Sequence, residues 1–219
     1  MLESAFTESS ISLVDSPLQI IWRLGSMPIP NGCFSDLNSL TVDGCQFLSY
    51  VVLPFYILPL LTQLQILEVR SCDSVKSIFD VKCITQERER KPLPFALKKL
   101  TLELLPELEN VWNEDPHGIL SMQLLQEVSV DNCKCLTSVF PASVAKDLVK
   151  LEDLLVEDCK ELMEIVAEDN ADPRGANLEL TFPCPCVRSL ELQGLPKFKY
   201  FYYCSLQCDM FETRTEDEK

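Results

Sequence analysis

Apolar residues recur along the chain in one short pattern. In "LQILEVRSCDSVKSI", residues 64–78, Leu67 and Val69 alternate with polar residues, Cys72 follows three positions later, and further apolar residues come at three-residue spacing. Alternation over three residues predicts a short strand with one buried face, because successive side chains of a strand point to opposite sides. The pattern therefore predicts a strand, a turn that re-enters the core at the cysteine, and a return segment.

The same pattern occurs clearly six times, with a degenerate seventh copy near the N-terminus. The predicted strands lie near 11–13, 40–42, 67–69, 100–102, 128–130, 154–156 and 190–192. The corner positions after the strands are Cys45, Cys72, Leu105, Cys133, Cys159 and Leu195. One such unit cannot bury its apolar face alone, so the units are expected to stack with their strands side by side.

Cysteine at the corner has a structural interpretation. A buried turn brings backbone polar groups into an apolar interior, where they need partners. Cysteine is small, apolar enough to be buried, and keeps a weak S–H donor. We therefore expect the corner cysteines to be core residues with no chemical role.

The stacked units predict an α/β fold, a leucine-rich-repeat solenoid in the form of an irregular horseshoe. A parallel sheet of short strands is expected on the concave face, with loops, 3-10 turns and short helices on the convex side. The segment "SVAKDLVKLED", residues 143–153, predicts a helix or 3-10 turns, whereas 80–93 and 167–179 are rich in charge and predict loops. The whole chain, 1–219, is expected to be a single domain of six to seven repeats.

The repeats also follow a longer order. Trp22, Trp112 and Tyr202 end three similar segments and lie 90 residues apart. Two cysteine-type copies stand between them in each case, and Pro54 and Pro141 follow Cys45 and Cys133 at nearly equal distances. This arrangement indicates duplication of a unit of three repeats.

Charge and composition exclude several functions. The formal net charge of −15 repels phosphate backbones, so no nucleic acid partner is expected. The N-terminal "MLESAFTESS" has no basic region of a signal peptide. The longest apolar stretch, residues 47–61, is interrupted by Pro54 and Pro59, so no transmembrane segment is expected. Eleven cysteines without any Asn-x-Ser/Thr acceptor favour a reducing, cytoplasmic location.

Few residues are candidates for chemistry. The single histidine, His117, stands in a loop sequence with no flanking signature of a catalytic site. "CKC" at 133–135 and "CPC" at 184–186 have one intervening residue, whereas structural zinc sites have two to four. We therefore expect no catalytic residue, no metal and no cofactor, and a chain that is not an enzyme.

The outward strand positions are the candidate protein-binding strip. They are Thr41, Asp43, Glu68, Arg70, Thr101, Glu103, Ser129, Asp131, Leu155, Glu157, Glu191 and Gln193. Six are acidic and one is basic. The strip is either the solvated face of an acidic protein or a binding surface for a basic partner. In both cases Asp43, Glu103, Asp131 and Glu157 are expected to align in a column without internal charge relief.

The run "CKCLTSVFPASVAKDLVKLEDLLVEDCKELMEIVAED", followed by "FPCPCVRSLELQGLPKFKYFY", resembles the C-terminal leucine-rich repeats of plant coiled-coil, nucleotide-binding, leucine-rich-repeat disease resistance proteins. The resemblance covers nearly the whole chain. It implies repeats that help to hold a receptor inactive and that sense a pathogen effector or a guarded host protein. The implied partners are such a protein or the receptor's own nucleotide-binding domain.

The resemblance does not extend to nucleotide binding, because no G-x-x-x-x-G-K-[ST] loop is present. The first repeat starts within ten residues of Met1 without a polar cap, which predicts a fragment that lacks an upstream nucleotide-binding domain. The alternative is the substrate-recruiting arm of an F-box-type ubiquitin ligase, although no F-box-like helical segment precedes the repeats. An extracellular receptor is disfavoured by the absence of glycosylation acceptors.

Overall fold

A computed structural model of the protein describes residues 9–15, 34–46, 48, 50–81, 93–117, 120–167 and 186–202. The strands in these ranges are β1 (Ser10–Val14), β2 (Ser39–Asp43), β3 (Tyr50–Leu53), β4 (Ile66–Arg70), β5 (Val75–Phe79), β6 (Leu93–Pro94), β7 (Lys99–Glu103), β8 (Asn110–Trp112), β9 (Leu120–Ser121), β10 (Glu127–Asp131), β11 (Ser138–Phe140), β12 (Asp153–Glu157), β13 (Glu164–Val166), β14 (Ser189–Gln193) and β15 (Tyr200–Tyr202). A 3-10 turn spans Leu58–Leu60 and an α-helix, α1, spans Ala142–Asp147.

Seven of the strands form one parallel sheet in the order β1-β2-β4-β7-β10-β12-β14. Each predicted tripeptide lies at the centre of one of these strands. The register is continuous across the sheet, so that Leu40, Leu67 and Leu100 are direct neighbours, as are Val128 and Leu154. Equivalent residues of successive repeats therefore stand side by side, and the architecture is an α/β repeat fold with very few helices.

The core lies behind this sheet. Inward residues of the middle strands, such as Leu67, Val69 and Leu100, are fully buried. In the last described repeat Leu190 and Leu192 are only partly buried, because they have a neighbouring repeat on one side within the described residues. Burial of an aliphatic side chain contributes about 1.5–3 kcal/mol, so the stacking of repeats supplies most of the stability.

A left-handed residue follows every strand of the large sheet. These residues are Asp15, Gly44, Ser71, Leu104, Asn132, Asp158 and Gly194, with φ between 48° and 66°. The first six donate their N–H to the last carbonyl of the next strand, at 3.0–3.1 Å. At Gly44 a side chain is also sterically excluded, because a Cβ would lie 2.5 Å from Oδ1 of Asp15. The turn is thus held by main-chain bonds between repeats.

The return segments contain more strands than we expected. Besides the predicted loops and 3-10 turns, the return segments form two further three-stranded parallel sheets, β3-β5-β8 and β11-β13-β15, and the two-stranded pair β6-β9. In β5 the residues Val75, Ser77 and Phe79 are all buried, so the segment pairs with its neighbours instead of turning in solvent. Trp112 ends β8 and Tyr202 ends β15, whereas Trp22 lies outside the described residues.

The one described α-helix begins at the segment predicted to be helical. Pro141 precedes it and supplies no side-chain cap. Instead the carboxylate of Asp115, from the preceding repeat, accepts a hydrogen bond from the N–H of Ser143 at 3.1 Å. This satisfies one of the free donors at the start of the helix. The predicted loops at 80–93 and 167–179 lie mostly outside the described residues.

Within the described part of the chain, no helix has both the length and the apolar character needed to cross a membrane.

Candidate protein-binding surface

The twelve predicted strip residues occupy two columns on the outer face of the seven-stranded sheet. The column at the third strand position contains Thr41, Glu68, Thr101, Ser129, Leu155 and Glu191. The column at the fifth position contains Asp43, Arg70, Glu103, Asp131, Glu157 and Gln193. The predicted alignment therefore exists, and whether the strip binds a partner stays a prediction.

Exposure varies along the strip. Most of these residues are half-buried, and Glu191 and Gln193 at the last strand are exposed. Thr101 is only 4% exposed, so it offers almost no surface to a partner. The usable surface is therefore uneven, and it is greatest toward β14.

Charge relief in the strip comes from Arg70. Its Nε lies 3.1 Å from Oε2 of Glu103 on the adjacent strand, and its Nη2 lies 3.5 Å from Oε2 of Glu68 on the same strand. One guanidinium thus lies between two carboxylates. The expectation of a column without internal charge relief is therefore wrong at Glu103, because the register places a cation directly beside it.

A second pair neutralises another part of the sheet face. At the first position of neighbouring strands, Nζ of Lys99 lies 2.9 Å from Oε2 of Glu127. This hydrogen bond raises the pKa of Lys99 above its ordinary value, so its ammonium group stays charged near neutral pH. The middle of the outer face, around β4 and β7, is therefore close to electrically balanced.

The carboxylates beyond β7 differ from those of the middle. Among the described residues, no ion pair includes Asp131, Glu157 or Glu191. Asp131 and Glu157 are direct cross-strand neighbours, and Glu191 lies opposite Leu155. We call these four residues, Asp131, Leu155, Glu157 and Glu191, the carboxylate patch. It combines three unpaired negative charges with one half-buried apolar side chain.

The corner residues lie in the turns that follow the strands of the large sheet. Cys72 and Cys159 are completely buried, and their thiols lie 3.1 Å and 3.2 Å from the carbonyl oxygens two residues earlier. Cys45 and Cys133 contact the equivalent carbonyls at 3.5 Å and also reach a carbonyl of the preceding repeat. Leu105 is buried and Leu195 partly buried. The weak S–H donors of the four corner cysteines thus bond main-chain carbonyl groups at the turns.

The surroundings of two corner thiols, Cys72 and Cys133, favour the neutral form. Burial raises the pKa of Cys72 to about 11. A hydrogen bond with the thiol of Cys159, together with burial, raises the pKa of Cys133. The same hydrogen bond lowers the pKa of Cys159. Thiolate is the reactive form of cysteine, so Cys72 and Cys133 are poor nucleophiles and poor metal ligands.

The other chemical candidates are not brought together. His117 is exposed in its loop, and its main-chain N–H donates to Oδ1 of Asp115 at 2.8 Å. In "CKC" Cys133 is buried whereas Cys135 is exposed, and in "CPC" only Cys186 lies within the described residues. In the described ranges no three histidine, cysteine or acidic residues cluster in a way that could hold a metal ion.

The repeated strand, corner and return segment define a leucine-rich-repeat protein. A family model described as "Plant disease resistance protein RPS2-like, leucine-rich repeats" matches residues 7–160. Since this match covers well over half of the chain, the chain belongs to the RPS2-like leucine-rich-repeat family of plant disease resistance proteins, which confirms the resemblance. Neither a curated protein nor a solved structure matches the chain.

Proposed function

We propose that the chain is the non-enzymatic recognition module of a plant intracellular immune receptor. Its repeats form an irregular horseshoe in the cytoplasm, with the seven-stranded sheet as the concave face. Family membership and the continuous register of the sheet support this proposal. The family match also favours the receptor over the F-box-type ubiquitin ligase arm.

The carboxylate patch is the feature on which the binding role depends. Three carboxylates without a described cation, next to the apolar Leu155, fit a partner surface that carries Lys or Arg around an apolar side chain. Such complementarity speeds and orients association more than it adds affinity. The partner is a pathogen effector, a guarded host protein or the receptor's own nucleotide-binding domain, so the patch contributes to effector sensing and to autoinhibition.

A charge-reversal variant tests this role. We expect the triple variant Asp131→Lys, Glu157→Lys and Glu191→Lys to weaken association with the receptor's separately produced nucleotide-binding domain at least tenfold at low salt. The loss should shrink as salt rises, because screening removes the same attraction. Glu103 is left unchanged, since Arg70 already neutralises it. Circular dichroism should show that the variant remains folded.

The matched control reverses three acidic residues away from the sheet face. Asp36, Asp73 and Glu107 are exposed in turns, so their replacement by Lys alters the net charge equally without touching the patch. Equal weakening by both triple variants would show that only net charge matters. Unchanged binding of the patch variant at low salt would exclude the patch as the binding site for the nucleotide-binding domain.

A further inference from the structure

The strands of the large sheet are parallel, so the residues that lead into them meet along one edge. Here the carbonyl of Lys98 accepts the N–H groups of Gln126 and Glu127 at 2.8 and 2.9 Å. In the next repeat the carbonyl of Gln126 accepts those of Glu152 and Asp153 at 2.8 and 3.0 Å. Residues at equivalent places in successive repeats therefore lie side by side along this edge.

Two apolar side chains are exposed at this edge. They lie in the turns before β10 and β12, where Leu124 is 36% and Val149 is 40% exposed. Lys150 is the equivalent of Leu124 in the next repeat, so Val149 lies at a diagonal position to Leu124. Single exposed apolar residues are common on protein surfaces, so the charges around this pair decide what it means.

The exposed charges around the pair are positive. Lys98, Lys146 and Lys150 are exposed, and within the described part of the chain no ion pair includes any of them. Lys146 belongs to α1, which leads directly into the turn that carries Val149 and Lys150. Three ammonium groups without a described carboxylate partner thus accompany two exposed apolar side chains.

The carboxylates near this edge do not cancel its charge. Glu127 is paired with Lys99, and Glu152 lies 3.3 Å from Nη1 of Arg188. Asp147, the last residue of α1, is half-buried. The next exposed carboxylate along the chain is at the first position of β12, on the outer face of the sheet. A chain with a net charge of −15 therefore has a locally positive edge.

The opposite edge of the sheet, at the corner turns, has a different composition. Its exposed residues carry both signs of charge, with Lys134 and Lys160 among Glu107, Asp158 and Glu161. The concentration of cations is therefore a local property of the first edge. The two lysines of the opposite edge are suitable controls for those of the first.

We propose that the first edge binds an acidic segment of a partner protein that also carries an apolar side chain. We call it the lysine edge, formed by Lys98, Leu124, Lys146, Val149 and Lys150. The ammonium groups face the carboxylates of the segment, and the two apolar residues contact its apolar side chain. Such charge complementarity orients association and rejects partners of the wrong sign.

The lysine edge fits a protein better than a membrane. Membrane surfaces are bound by long amphipathic helices with aromatic or large apolar residues on one face, whereas α1 has only six residues and no aromatic one. The lysine edge also differs in charge and position from the carboxylate patch, which lies on the outer face of the sheet. The two surfaces therefore take partners of opposite charge, and each binding role can fail without the other.

A fluorescein-labelled heptapeptide that alternates glutamate and leucine, with blocked ends, is the probe. Its glutamate–serine counterpart tests the apolar contribution. We expect a saturable rise in fluorescence anisotropy with the first peptide and at least threefold weaker binding of the second. The affinity of the first should fall as salt rises, because screening weakens the attraction.

A charge reversal at the lysine edge tests the site. The double variant Lys146→Glu and Lys150→Glu should weaken binding of the glutamate–leucine peptide at least fivefold. The matched control is Lys134→Glu with Lys160→Glu, which changes the net charge equally at the opposite edge, where both lysines are exposed. Its affinity should stay within twofold of wild type, and circular dichroism should show that both variants are folded.

A second pair of variants tests the apolar contact. Leu124→Asn with Val149→Asn should weaken binding of the glutamate–leucine peptide at least threefold without changing that of the glutamate–serine peptide. The control is Leu104→Asn with Met163→Asn, since these residues are 48% and 39% exposed elsewhere on the surface. The control variant should bind both peptides as wild type does.

Four results would overturn the proposal: no binding of the glutamate–leucine peptide at millimolar concentration, equal weakening by the two lysine double variants, equal binding of the two peptides, or unchanged binding by a folded Leu124→Asn and Val149→Asn variant. Sedimentation with vesicles of phosphatidylcholine and phosphatidylserine tests the membrane. Vesicle binding that is lost on reversal of Lys146 and Lys150, without peptide binding, would assign the edge to lipid instead. The triple reversal in the carboxylate patch should not weaken binding of the acidic peptide, which separates the two surfaces.

Discussion

The main-chain N–H of Leu104 donates a hydrogen bond to the carbonyl of Asp131 at 3.0 Å while Leu104 has a φ of +54°. The residues at the equivalent position in the other repeats are Asp, Gly, Ser and Asn, and of these Asp, Gly and Asn adopt this conformation more easily than Leu. A residue with a bulky side chain loses about 1–2 kcal/mol there. The Leu104 side chain is 48% exposed, so little packing compensates.

Replacement of this leucine should therefore stabilise the protein. We expect Leu104→Asn to raise the free energy of unfolding by about 0.5–1 kcal/mol, since Asn adopts the left-handed region more easily. Leu124→Asn is the control, because Leu124 is similarly exposed and has no positive φ. Urea denaturation of both variants measures the difference. A gain of equal size at Leu124 would assign the effect to the loss of surface apolar area.

Inward and outward strand residues should respond oppositely to a change of charge. Leu154 is 2% exposed, so Leu154→Asp places a carboxylate in the core and should cost about 3–5 kcal/mol. Glu157, three residues later, has an outward side chain and no described ion pair, so Glu157→Lys should change stability by less than about 1 kcal/mol. Chemical denaturation compares the two, and equal damage would contradict the register.

The thiols should differ in reactivity according to burial. In the native protein Cys135 and Cys186 are exposed and should react rapidly with an alkylating reagent, whereas Cys45, Cys72 and Cys159 should be protected. After denaturation without reductant, all eleven cysteines should be titratable, with no stoichiometric zinc in elemental analysis. Mass spectrometry of the labelled peptides assigns each site. Rapid native labelling of Cys72 would contradict its place in the core.

Alkaline pH should destabilise the fold through the thiol of Cys72. The pKa of Cys72 rises from an ordinary 9.0 to about 11 in the folded state, so the unfolded state loses this proton first. The contribution of Cys72 is complete below pH 9 and is lost as pH rises from 9 to 11. Urea denaturation at pH 8 to 11 should show a smaller loss for Cys72→Ala than for wild type. Parallel curves would exclude Cys72 as a cause.

Much of this fold is predictable from the sequence because each repeat has the same spacing. Alternation of Leu154, Leu155 and Val156, followed by Cys159, determines which residues are buried, and stacking then fixes the columns of the outer face. The strands of the return segments are less predictable. Their apolar residues at Val75, Ile78 and Phe79 follow no strict period of two, so the segment suggests turns.

The charge pairing within the strip can be predicted only when both the strand register and the side-chain positions are known. Arg70 was visible as the one basic residue among the twelve, and its place in the column beside Glu103 followed from the alignment of the repeats. Which carboxylates it neutralises depends on where a flexible guanidinium lies.

The main-chain bonds after each strand have a consequence for how such a protein changes over generations. Each of the first six left-handed residues uses only its N–H and the carbonyl of the next repeat, whichever side chains are present. Unequal recombination that adds or removes a unit of whole repeats, such as three, would therefore preserve these bonds at the new junction. The 90-residue spacing of Trp22, Trp112 and Tyr202 is what such an event leaves in a sequence. Outward residues are then free to diverge among gene copies while the frame that presents them persists.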